Sequence, residues 1–134
     1  MRVFLVEDDE YLLSQLALVL QPTGFTLECF PSAEAALERA RKDPPDILIS
    51  DFFLTGADGM WLVEEVKKLN PYARMLILSG SPAQARVYAA LSSGQLDRFI
   101  QKPWDDAFLI QTVTDLGALA TTLARLRLKP NRSA

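Results

Sequence analysis

At 134 residues and 49% apolar side chains, the chain has the size of one domain with enough material for a real core. Its formal charge of −3 argues against bulk attraction to nucleic acid, and only the stretch from Arg125 to Arg132 is locally basic. One cysteine, Cys29, excludes an internal disulfide and points to a reducing, cytoplasmic setting, while the absence of histidine removes the usual general base and any phosphohistidine chemistry.

The first apolar run, Arg2–Val6, reads as a strand and leads straight into the acids Glu7, Asp8, Asp9 and Glu10. Because those acids follow at once, "MRVFLV" is too short for a signal peptide. A helix is expected next, with Leu12, Leu16, Val19 and Leu20 on one face and Asp9 and Glu10 at its positive end. Thr26–Phe30 forms a second strand, where Cys29 should pack as a small hydrophobe. Ser32 then caps a helix that buries Ala36, Leu37 and Ala40 and stops before Pro44-Pro45. The third strand is Asp46–Ser50, followed by a helix over 59–69 with Leu62, Val66 and Leu69 inward. Arg74–Leu78 is the fourth strand; Ser81 as cap and Pro82 at the first helical position should open a helix ending near Gly94. The fifth strand, Asp97–Gln101, precedes a helix that begins after Pro103 with Asp105 and Asp106 at its start.

That last helix carries a stripe at Leu109, Val113, Leu116, Leu119 or Ala120, Leu123 and Leu126. Gln111, Thr112, Thr114 and Asp115 interrupt it, which argues against a membrane span. Beyond about Thr121 the helix outruns the expected domain edge. Its Leu123 and Leu126 suit either a dimer seam or connector, or an end that folds back. The domain is therefore expected over 1–122, with 123–134 a helix extension and a disordered tail "KPNRSA".

Five βα units with strands buried on both faces imply an α/β fold, a doubly wound parallel sheet. Right-handed crossovers bring the loops after each strand to one rim, where such sheets bind ligands. Reading off that rim gives Glu7 and Asp8, then Asp51, then Ser79, then Lys102 followed by Pro103. Converging carboxylates repel unless a hard cation sits among them, and oxygen donors suit Mg²⁺. A cation site beside a carboxylate, a hydroxyl and a lysine holds the parts for phosphoryl transfer, with Asp51 as nucleophile.

The stretches "VFLVEDD", "DILISDFFLTGADG", "MLILSGS" and "RFIQKPW" resemble the receiver domain of bacterial two-component response regulators. The resemblance implies a flavodoxin-like five-stranded parallel sheet of order 2-1-3-4-5 with five helices. It implies a phosphorylation-dependent signalling switch: Asp51 is the phosphoacceptor, Ser79 and Lys102 attend it, and Mg²⁺ is held by Glu7, Asp8, Asp51 and the backbone carbonyl of Phe53. Phe99 matches the family's switch aromatic, although it reads equally as a core-edge residue, and Lys102-Pro103 is expected to be cis. The partners implied are a histidine kinase or phosphotransfer protein and an output module reached through the fourth and fifth helices, with a homodimer possible and no direct contact with nucleic acid or membrane. The chain would catalyse only its own phosphorylation and dephosphorylation.

Three departures stand out. Thr55 replaces the family's usual proline, Phe53 is bulky at the mouth of the site, and Gly80 replaces the commoner alanine. The segment "SSGQLDRFIQKPWD" resembles receivers joined to cyclic-di-GMP phosphodiesterase or histidine-kinase modules more than those joined to DNA-binding domains. Two rivals fare worse. A phosphatase of the haloacid-dehalogenase type needs an aspartate two residues after the nucleophile, where Phe53 stands. A flavodoxin-like FMN module needs a hydroxyl- and glycine-rich loop after the first strand, where Glu7 and Asp8 would repel phosphate.

Overall fold

The computed structural model describes residues 1–128. The elements follow in the order β1 (Arg2–Val6), α1 (Glu10–Leu20), a 3₁₀ turn (Gln21–Thr23), β2 (Thr26–Phe30), α2 (Ala33–Lys42), β3 (Ile47–Asp51), α3 (Gly59–Leu69), β4 (Arg74–Ser79), α4 (Ala85–Ser93), β5 (Arg98–Gln101) and α5 (Asp106–Leu128). The strands form one sheet in the order β2-β1-β3-β4-β5, and every pairing is parallel. The expected fold class is observed.

Alternation along the strands divides the core in two. Phe4, Val6, Leu48, Met75 and Ile77 face α2, α3 and α4, where they meet Ala36, Leu37, Leu62, Val66, Val87 and Ala90. Val3, Leu5, Ile47, Ile49, Leu76 and Leu78 face α1 and α5, against Leu16, Leu20, Leu109, Val113 and Leu116. A period of two in the strands and 3.6 in the helices thus fills both faces of one sheet.

Helix starts follow the caps expected of them, with one exception. Asp9 accepts hydrogen bonds from the amides of Tyr11 and Leu12, and Ser32 from that of Ala35. The exception is α4, which begins at Ala85 after Gln84 rather than at Ser81-Pro82. The Ser81 amide is taken by the Ser79 hydroxyl at 3.2 Å, so the chain turns locally before the helix starts. Two other expectations are corrected. Leu69 is 41% exposed, because α3 ends there and runs off the sheet. Cys29 is exposed, since β2 is an edge strand with no fully buried residue, its side chains being exposed or half-buried rather than covered on both faces. In α5, Ala120 rather than Leu119 continues the buried stripe, leaving Leu119 and Leu126 exposed.

α5 is long and apolar enough to cross a membrane by length and composition alone. Its Leu109, Val113 and Leu116 are nevertheless buried in the core, as expected of a core helix. The helix runs unbroken past Thr122, so no secondary-structure break marks the expected boundary. The expected disordered tail, 129–134, lies outside the described residues.

Candidate functional site

Strand register sets the rim. Val6 pairs with Ser50, Asp51 with Leu78, and Ser79 with Gln101. Glu7, Asp51, Ser79 and Lys102 therefore fall within one residue of a common row at the carboxyl ends of four strands. Backbone bonds tighten the row: the Phe52 amide donates to the Leu78 carbonyl at 2.8 Å and the Lys102 amide to the Ser79 carbonyl at 2.7 Å.

The side chains converge as the sequence predicts. The Lys102 ammonium lies 3.0 Å from Glu7 Oε2 and 3.3 Å from Asp51 Oδ1. One carboxylate oxygen from each of Glu7, Asp8 and Asp51 lies within 4.8 Å of the other two. Glu7, Asp51 and Ser79 are buried, whereas Asp8 is exposed. An all-oxygen set of three carboxylates at this separation fits a hard divalent cation such as Mg²⁺, which would offset their mutual repulsion.

The electrostatics show the strain of packing acids together. Burial pushes the Glu7 carboxyl above its ordinary range, and Asp51 adds to the shift while Lys102 opposes it. Burial also works against the charge on Lys102, but its hydrogen bond to Glu7 and the charges of Asp51 and Glu7 outweigh that and raise its pKa. Asp8 is held below the usual range, chiefly by a hydrogen bond from the Thr55 hydroxyl.

The loop between β3 and α3 encloses the site. Phe53 is 51% exposed at its mouth, with its ring edge-on to Phe52 at 4.7 Å. Gly56 makes the expected turn with φ +88°, a left-handed conformation that glycine adopts without strain. Gly59 opens α3 so close to β3 that a Cβ there would overlap the Asp51 carbonyl oxygen. That contact is with backbone, so only glycine fits. The Lys102-Pro103 peptide is cis. Phe99 is half-buried on β5 and packs against the α3–α4 side of the core.

Two residues that the sequence did not mark as functional tie this loop down. Thr55 donates to Asp8 from both its amide and its hydroxyl, and the Glu34 carboxylate accepts from the Ala57 amide at 3.0 Å. Thr55 was legible only as a missing proline. Glu34, on α2, gave no local signal because its partner lies 23 positions away.

Residues 3–114 match the family model described as the response regulator receiver domain. The chain belongs to this family. As a receiver domain it has the fold and donor set of a phosphorylation-dependent signalling switch. It is 34% identical over 110 residues to the C4-dicarboxylate transport transcriptional regulatory protein DctD of Rhizobium meliloti, covering 82% of this chain and 24% of that protein. Identity to the photosynthetic apparatus regulatory protein RegA of Cereibacter sphaeroides is 33% over 103 residues, covering 77% of this chain and 55% of that one. The receiver domain thus spans about a quarter to a half of these curated relatives' length. Among solved structures, the signal receiver domain of an HD domain-containing protein from Pseudomonas fluorescens Pf-5 superposes with TM-score 0.82 at 27% identity, covering 90% of this chain and 97% of that one.

Proposed function

We propose that this receiver domain accepts a phosphoryl group on Asp51 from a phosphohistidine of a kinase or phosphotransfer protein. The observation that carries the reading is the Lys102 ammonium held between Glu7 and Asp51 beside three converging carboxylates. An Asp51 oxygen forms the new bond to phosphorus as the phosphorus–nitrogen bond to the donor imidazole breaks. The imidazole leaves with the bonding electron pair and takes up a proton.

Negative charge on the transferring oxygens is met by Lys102, which turns from its carboxylate partners toward them. Ser79 accepts a hydrogen bond from the Ser81 amide, which leaves its own proton free to donate to a phosphoryl oxygen. A Mg²⁺ ion, held by Glu7, Asp8, Asp51 and the Phe53 carbonyl, supplies further neutralisation when bound. Phosphorylation draws Ser79 inward and lets Phe99 follow, changing the surface around α4 and α5 that an output module or a second copy would read. The chain turns over no metabolite and acts catalytically only on its own aspartate. A cytoplasmic setting and a working unit over 1–122, with 123–134 an extension of the last helix and a tail, complete this reading.

Intact-mass measurement after incubation with Mg²⁺ and a small phosphodonor should show one added phosphoryl group, absent with chelator and absent in Asp51→Asn. Equal modification of Asp51→Asn would remove Asp51 from the role.

A further inference from the structure

The Asp8 carboxylate is exposed, yet it does not hang free in solvent. The Thr55 amide and the Thr55 hydroxyl both donate to the same oxygen, Oδ2, each at 2.9 Å. An exposed aspartate turns through several side-chain conformers, and each must be given up when a cation is bound. Two donors from one residue remove that freedom in advance. Because both bonds go to Oδ2, the lone pairs of Oδ1 are left for another partner.

Thr55 can hold Asp8 only if it is itself held. Gly56 turns the chain in a left-handed conformation, and the next amide, that of Ala57, donates to Glu34 Oε1 at 3.0 Å. The carboxylate of Glu34 lies so close beneath the turn that a Cβ on Gly56 would come within 3.0 Å of it. Asp8 is thereby tied through Thr55 and Ala57 to the first turn of α2, across three separate parts of the chain. Neither valine nor proline at position 55 would reproduce both donors.

We propose that Thr55 is a positioning residue for the cation site, orienting the Asp8 carboxylate so that Mg²⁺ is bound more tightly than an untethered aspartate would allow. The proposal rests on the cation assignment made above. Partners that orient a metal-ligating side chain are worth about 10–100-fold in affinity, and removal of one of two bonds belongs at the low end of that range.

The test is Mg²⁺ titration of the full, unphosphorylated chain by calorimetry, with melting in chelator measured alongside. Thr55→Val, which keeps the amide but loses the hydroxyl, should bind Mg²⁺ about tenfold more weakly. Thr55→Ser, which keeps both donors, should match the wild type. Glu34→Ala, which frees the loop from the other side, should lose affinity in the same direction, so the proposal stays open to test even if Thr55→Val folds poorly. A purely structural role for Thr55 would lower the melting temperature in chelator and leave the Mg²⁺ affinity of the folded protein unchanged. If Thr55→Val and Glu34→Ala bind Mg²⁺ as tightly as the wild type, or more tightly, the proposal is overturned and the cation assignment stands. A wild type that binds no Mg²⁺ overturns both.

Discussion

Phe53 sits where its chemistry matters most for the lifetime of the signal. Loss of a phosphoryl group from Asp51 requires a water placed in line with the breaking bond, and a polar side chain at the mouth helps to orient that water. Phe53 has no hydrogen-bonding group, and its half-exposed ring lies two residues from Asp51. The phosphorylated protein should therefore lose its phosphoryl group slowly, and Phe53→Asn should shorten the lifetime several-fold, a full tenfold being equivalent to about 1.4 kcal/mol off the barrier. Decay of the purified phosphoprotein followed by mass decides this; equal decay in the two proteins would show that the ring does not shield the water path.

At the scale of elements, α3 starts by a device that also reaches α4. Asp58 caps α3 by accepting from the Trp61 amide at 2.8 Å, and its other oxygen pairs with Arg86 of α4 at 2.9 Å. Partial burial favours the neutral acid, but those donors and the Arg86 charge win and hold its pKa below the ordinary aspartate value. A depressed carboxyl stabilises the fold above the unfolded-state pKa of about 4, and this contribution is lost as pH falls through the lower folded value. Asp58→Asn keeps a cap but loses the charge, so its stability should fall less steeply than the wild type's below about pH 4. Asp58→Ala, which removes the cap, should cost about 1 kcal/mol at neutral pH, while the half-exposed pair with Arg86 adds at most about as much. Urea denaturation of the three proteins at several pH values measures both effects, and parallel acid profiles would refute the assignment.

Across the whole molecule, α5 changes character along its length. Leu109, Val113 and Leu116 lie in the core against β3 and β4, whereas Leu126 is 57% exposed. Leu109→Ala should cost about 2–5 kcal/mol in urea unfolding, the range for a leucine removed from a packed core. Leu126→Ala should stay within about 0.5 kcal/mol, as surface substitutions do. A comparable loss at Leu126 would mean that the end of α5 also belongs to the folding core, and would move the working unit beyond residue 122.

How much could be read without coordinates differs between the two cores and the site. Period-two strands and capped, amphipathic helices were legible because they depend on neighbours a few positions apart; hence Ser32, Asp9 and the five strands were found close to where they lie. The convergence of Glu7, Asp8, Asp51, Ser79 and Lys102 was legible too, because a parallel sheet with right-handed crossovers sends every strand's carboxyl end to one rim. Contacts between loops were not. The exposure of Cys29 on an edge strand, the choice of Ala120 over Leu119, the hold of Thr55 on Asp8 and the hold of Glu34 on Ala57 all depend on how distant segments come together. Local periodicity carries the fold, but hydrogen bonds between loops form only after the sheet has set their separation, so the tertiary structure alone decided them.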